Sequence, residues 1–279
     1  MFLKWVILNT FAQIKYNMKK TALIIATAFV AFACNNLKDN EFLISGQADG
    51  VENGTKVFVE VQDSTGMVAK DTAVIENGKF ELKGISEEVD LGFIRIENEK
   101  TSLPVILEKG KINVVMVKDS IQNSKIGGTF NNDKFQTFNE ESKVIAKKII
   151  KYQKDNDKQY QVARAANDTA AINKMMERFK GFQDEMNVSS VKFIKENSNA
   201  YLSVLLLENF LMREYLPVEE IKGYYEKLDK SLLNTKSAKN VKKGIDASIG
   251  TTANNAAQEF SAPSPEGKII SLKESLGKV

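Results

Sequence analysis

Thr55-Lys-Val-Phe-Val-Glu-Val-Gln62 is the stretch that decides the fold class. Val57, Val59 and Val61 recur at every second position, the period at which a strand shows one face to a core. β-Branched side chains also favour an extended backbone. Outward from this run, Asn77-Gly78 lies between two further β-prone pieces, 67–75 and 79–83. Both turn positions tolerate positive φ, so the spacing predicts a hairpin there. Runs at 92–97, 103–108 and 111–117 follow, the last two joined by Lys109-Gly110. Pro104 has no N–H to give to a ladder and belongs on an edge or at the first residue of a strand. Seven or eight strands at this spacing predict an antiparallel sandwich or barrel-like domain over 41–130.

Past residue 130 the period changes. Phe138, Ile145, Ile149 and Tyr152 are separated by sums of three and four, and so are Ile172, Met175, Phe179, Phe182 and Met186. Each set makes one stripe of an amphipathic helix. Asn167-Asp168-Thr169 supplies a turn and cap residues between them. Residues 201–214 read as a more apolar, more buried helix, ended by Pro217, and 218–228 as another. The Met/Phe stripe is read as core packing in preference to a ligand groove. The Lys-rich stretches 143–158 and 236–243 are read as solvated helix faces. A helical region over 131–250 thus follows the β-domain, and the class is α+β.

Composition removes whole chemistries. The 279 residues hold no His and one Cys, Cys34. Triads, Cys–His pairs, imidazole ligands and imidazole acid–base steps are excluded. So are an intramolecular disulfide, a redox Cys pair and a Cys-rich zinc site. Glu87-Glu88, Glu140-Glu141 and Glu219-Glu220 lack any spacing that separates a catalytic pair from surface charge. Gly127-Gly128 is too short for a phosphate loop. No catalytic residue, cofactor or metal ligand is therefore assigned.

The one cysteine has a different reading. Lys19 and Lys20 precede an apolar run of about a dozen residues, the length of a secretory h-region and too short to span a bilayer. The run ends in Ala31-Phe32-Ala33-Cys34, which resembles a bacterial lipobox with Cys34 as the lipidation site. Residues 1–33 are then a leader and signal peptide, with translation expected to start at Met18, and 34–40 a polar tether. Removing Lys4, Lys15, Lys19 and Lys20 with that leader leaves 35 basic against 36 acidic residues, a net charge of −1 instead of +3. Nucleic acid, which wants a basic face overall, is not expected as a partner.

The C-terminal piece, 257–279, places Pro265-Glu266-Gly267 as a turn between two extended runs, 259–262 and 268–272. Phe260, Gly267, Lys268, Ser271, Leu272, Gly277, Lys278 and Val279 resemble the opening of the membrane-anchored TlpA/ResA-like (AhpC/TSA-like) thiol–disulfide oxidoreductases of the thioredoxin superfamily. Gln258 stands where that group usually has Pro. Upstream, Phe42-Leu-Ile-Ser-Gly46, Asn77-Gly-Lys-Phe80 with Gly84, Leu107-Glu-Lys-Gly110 and Gly127-Gly-Thr-Phe-Asn131 resemble the β-domain of unknown function that precedes such thioredoxin domains in Gram-negative envelope lipoproteins. The resemblance implies that 251–279 is the incomplete start of a thioredoxin-like domain, with a Trp-Cys-x-x-Cys motif expected within about a dozen residues of Val279. It implies a periplasm-facing, lipid-anchored protein whose partners are the membrane and envelope protein substrates. The chain itself lacks the catalytic pair. Its expected role is to anchor and to recognise; the competing reading is a stand-alone, non-catalytic binding or structural lipoprotein.

Overall fold

The computed structural model describes residues 37–250 and 261–271. The described chain is α+β, with strands first and helices after. The strands are β1 (Glu41–Asp49), β2 (Lys56–Asp63), β3 (Gly66–Val74), β4 (Lys79–Ile85), β5 (Asp90–Ile96), β6 (Ser102–Leu107), β7 (Gly110–Val117) and β8 (Lys125–Gly127). They form two four-stranded sheets, in the orders β4-β1-β7-β8 and β3-β2-β5-β6. Val57, Val59 and Val61 point between the sheets and meet Ile44, Leu82, Ile112 and Val114 in one buried cluster, as the period-two pattern requires. Burying each such side chain contributes roughly 1.5–3 kcal/mol.

Every pairing is antiparallel except that of β1 with β7. There Phe42 faces Gly110 and Asp49 faces Val117 in a parallel register. A parallel neighbour needs a long crossover, and the chain between β1 and β7 supplies it by running through the other sheet. The sheet holding β1 is therefore mixed, a feature that alternation along single strands does not encode.

Asn77 and Gly78 adopt φ of 51° and 70°, and Glu76 and Lys79 exchange both backbone hydrogen bonds, at 2.9 and 3.0 Å. The expected turn forms, but the expected hairpin does not. β3 pairs with β2, and β4 leaves for the other sheet to pair with β1. A two-residue turn fixes only its immediate flanks. β6 and β7, around Lys109-Gly110, separate between sheets in the same way. At the parted β3–β4 seam, the Asp71 carboxylate accepts the backbone N–H of Lys83 at 2.7 Å. Pro104 sits in β6, the edge strand of its sheet, as its missing N–H requires.

What draws β4 to β1 is a reciprocal exchange. Phe42 lies opposite Gly84, and Phe80 opposite Gly46. Both strands read Phe-x-x-x-Gly, so antiparallel pairing sets each ring over the glycine of the other. A Cβ at Gly84 would stand 2.5 Å from Phe42 Cζ, and one at Gly46 would overlap the Phe80 ring. An aromatic ring over a strand glycine covers backbone that no side chain of its own shields.

The helices are α1 (Phe130–Ala165), α2 (Thr169–Glu196), α3 (Tyr201–Met212), α4 (Val218–Tyr225) and α5 (Lys236–Gly250). α1 and α2 make an antiparallel arm, about 54 and 42 Å long at 1.5 Å per residue. The two expected stripes face each other along it. Tyr152 meets Phe182 edge-on at 5.6 Å between ring centroids, and Lys148 pairs with Glu185 at 2.7 Å. Only the root joins the main core, through Phe135, Phe138, Phe193 and Ile194. Farther out, Ile145, Ile149, Met175 and Phe179 are half-buried, because a two-helix arm covers a stripe from one side.

Asn167 (φ 53°) turns the chain, and the Asp168 side chain caps α2 by accepting the Ala171 N–H at 3.0 Å. Asp168→Ala removes this exposed cap and is expected to cost about 1 kcal/mol. Thermal unfolding followed by helical circular dichroism checks it.

α3 ends before Pro217 is reached. Glu214 takes φ 49°, its N–H bonds to Leu211 O, and the Tyr215 N–H reaches back to Phe210 O at 3.1 Å. The Phe210 and Tyr215 rings pack at 5.2 Å, which completes a Schellman stop. Pro217 then opens α4. A last pair, β9 (Ser261–Pro263) and β10 (Ile269–Ser271), is antiparallel and turns through Gly267 at φ 79°.

Candidate functional site

Cys34, Met18 and the whole leader lie outside the described residues, as do Phe260, Leu272, Gly277, Lys278 and Val279. Among the described residues, no group of three or more acidic, His or Cys side chains is placed to hold a metal. No described helix is long and apolar enough to cross a membrane. Glu87, Glu88, Glu140, Glu141, Glu219 and Glu220 are all exposed. Glu140 binds Lys143 at 2.8 Å, and Glu220 accepts the Tyr224 hydroxyl at 2.8 Å. The first is a solvated surface pair, and the second ties an exposed carboxylate to the hydroxyl of a buried tyrosine.

The densest polar arrangement is the segment Gly127-Gly-Thr-Phe-Asn-Asn-Asp133. Gly128 has φ 94°, and a Cβ there would sit 2.6 Å from the Lys111 carbonyl oxygen. Only glycine fits so close a crossing. Its N–H donates to Asp133 Oδ1 at 2.9 Å, which fixes the entry into α1. Asn132 is completely buried. Its Oδ1 accepts the Ile106 N–H at 2.9 Å, while its Nδ2 donates to Ile106 O and Thr129 Oγ1, each at 2.8 Å. One side-chain amide therefore pairs with the free edge of β6 as another strand would. One turn later, Gln136 Oε1 accepts the Ile126 N–H of β8 at 3.0 Å. The first turns of α1 thus cover one outer strand from each sheet and close the gap between the sheets on that side.

Asn131 carries the closure to the next helix. Its N–H and Nδ2 donate to the Glu108 carboxylate at 2.8 and 2.6 Å, and its Oδ1 accepts the Tyr201 N–H at 2.7 Å. Ala200 has no side-chain acceptor for the start of α3, so Asn131 caps it from 70 residues away. Tyr201 is buried, and desolvation pushes its phenol well above the usual tyrosine range, so it stays protonated and donates to Ser237 Oγ at 3.2 Å. The chemistry of this junction is amide hydrogen bonding, which positions and does not react. Adjacent asparagines in a helix's first turns were its available signal, since Asn is a poor helix former unless its side chain bonds backbone.

Two open cavities lie side by side between α4 and α5, of about 410 and 420 Å³, and share Tyr225, Lys242 and Asp246. Leu233, Ile245 and Ile249 give them apolar walls, and Lys222, Lys239 and Lys243 a cationic rim. Asp246 binds Lys242 through both oxygens and raises its pKa. The groove offers an ion pair, a phenol and apolar walls. Sequence reading placed Lys239, Lys242 and Lys243 on a solvated face and did not anticipate the groove, which needs α4 as its second wall.

Residues 42–135 match the family described as Domain of unknown function (DUF4369). The match runs from β1 into α1 and includes both Phe–Gly pairs and the Asn132 junction. It reaches into α1 far enough to take in Asn132 and Phe135, which pack against the sheets, and stops one residue short of Gln136. No curated protein and no solved structure matches the chain.

Proposed function

We propose that this chain is the anchoring and substrate-recognition portion of a periplasmic lipoprotein related to the TlpA/ResA-like thiol–disulfide oxidoreductases. The domain at 42–135 carries the reading, since domains of this family stand N-terminal to thioredoxin-like domains in some proteins. The β9–β10 hairpin supports it, falling within the segment whose sequence resembles the opening of such a domain. A lipid on Cys34 would hold the fold at the membrane. Disulfide exchange needs a thiolate with a resolving partner, and a single lipidated sulfur offers neither. The exposed surfaces of the β-domain and the helices would therefore recognise and hold an envelope substrate for a catalytic pair beyond residue 279.

Lipidation has a direct test. Cys34→Ser is expected to abolish incorporation of labelled palmitate and to move the protein from the membrane to the soluble fraction. Label that survives the substitution overturns the anchor. Sequencing the transcript past codon 279 tests the catalytic half, with an in-frame Trp-Cys-x-x-Cys expected within about a dozen codons. An immediate stop would instead favour a stand-alone, non-catalytic envelope lipoprotein.

A further inference from the structure

The outer face of α1, turned away from α2, carries Lys143, Lys147, Lys151, Lys154 and Lys158. Their spacing of four, four, three and four keeps them on one side of the helix over about 22 Å. Residues 143–180 hold ten Lys and Arg against four Asp and Glu, a net of +6, so the rest of the chain nets −3. Lys143 pairs with Glu140 and Lys151 with Asp155. Lys147, Lys154 and Lys158 are exposed and have no ion-pair partner among the described residues. Val144, Ile150 and Val162 flank the stripe on the same outward side, each more than half exposed at 60, 62 and 63%.

We propose that this face of the arm docks on an anionic lipid bilayer. The charge is complementary to acidic headgroups, and lysine stems extend their ammonium groups to the headgroup layer while flanking apolar side chains reach the acyl boundary. The stripe has no aromatic side chain to stack a base and no arginine fork for a phosphate diester, which disfavours nucleic acid. The charge and apolar pattern of the arm carries the proposal by itself, independently of the anchored reading above.

Vesicle sedimentation tests the docking without the anchor. The protein is produced from Asp39 onward, a compact unit separate from the first 38 residues. Vesicles containing phosphatidylglycerol are expected to carry it down at low ionic strength, and pure phosphatidylcholine vesicles are not. Added salt at about 0.5 M should release it, because the Debye length then falls to a few Å. The triple variant Lys147→Gln, Lys154→Gln, Lys158→Gln is expected to partition about a hundredfold more weakly, at roughly fivefold per lysine. All three side chains are solvated, so an unchanged melting temperature will show that the fold is intact. No capture by anionic vesicles, equal capture by neutral ones, or undiminished binding by the triple variant overturns the proposal. Preferential retention on duplex DNA or poly-glutamate also overturns it and assigns a different partner. Loss of palmitate labelling is read on Cys34 alone, so the two ideas fail separately.

Discussion

Gly46→Ala is expected to destabilise the fold by about 3 kcal/mol, although it adds one methyl group. The added Cβ would fall inside the Phe80 ring, which is 4% exposed and closed in by the core. The ring must tilt off its rotamer or β4 must move from β1, and either strains a close-packed interior. Phe80→Ala alone is expected to cost about 3–4 kcal/mol by leaving a cavity over Gly46. Together the two changes should cost at least 1 kcal/mol less than their sum, because the new methyl group then occupies space the ring has vacated. Denaturant unfolding of the two single variants and the double checks this. Additivity within about 0.5 kcal/mol would mean that ring and glycine are independent, and the reciprocal exchange would lose its role in pairing β1 with β4. Gly84→Ala opposite Phe42 should behave in the same way, since a Cβ there also lies too close to the ring.

These glycines also mark where reading the sequence stops. The strand at 55–62 was legible because Val57, Val59 and Val61 carry their period within a few residues. The Asn77-Gly78 turn was legible because positive φ is a local demand, and so was the Asp168 cap. Which sheet each strand joins is not local. The turn at 77–78 was expected to return β4 along β3, yet Phe80 finds its glycine in β1, more than thirty residues upstream. The parallel contact of β1 with β7 has the same origin, because it depends on where intervening strands go. Long-range partners leave only indirect traces, such as a Phe-x-x-x-Gly spacing that recurs in two strands.

The candidate surfaces divide along the same line. The lysine stripe of α1 was visible as a run, and its helical spacing could be counted. Its exposure depended on the opposite face of α1 being taken up by α2, through Tyr152 and Phe182. The groove holding Tyr225, Lys242 and Asp246 requires two helices to meet, and no spacing within 236–250 announces it. The buried amides are committed within the fold, Asn132 to the Ile106 backbone and the Thr129 hydroxyl, and Asn131 to the Glu108 carboxylate and the Tyr201 N–H.

That commitment gives the other large effect. Asn132→Ala is expected to cost about 4 kcal/mol, since it deletes three hydrogen bonds and leaves the Ile106 N–H and C=O buried without the partner they have now. Asn132→Leu, which restores volume but not polarity, should recover little, because the loss lies in unsatisfied backbone and not in packing. Asn132→Asp keeps an acceptor for the Ile106 N–H but turns a carboxylate toward the Ile106 carbonyl, so it too should be strongly destabilising. Gln136→Ala supplies the contrast. It removes one bond, to Ile126, from a half-buried position that water can reach, and about 1 kcal/mol is expected. Hydrogen exchange separates this mechanism from general loosening. In Asn132→Ala the Ile106 amide should lose protection before the amides of β2 and β5 do, because its only acceptor is gone while theirs remain in the ladder. If Asn132→Ala proves no costlier than Gln136→Ala, or if Ile106 keeps its protection, the amide is not what closes the edge of β6, and packing of Phe135 and Phe138 against the sheets must hold the arm in place.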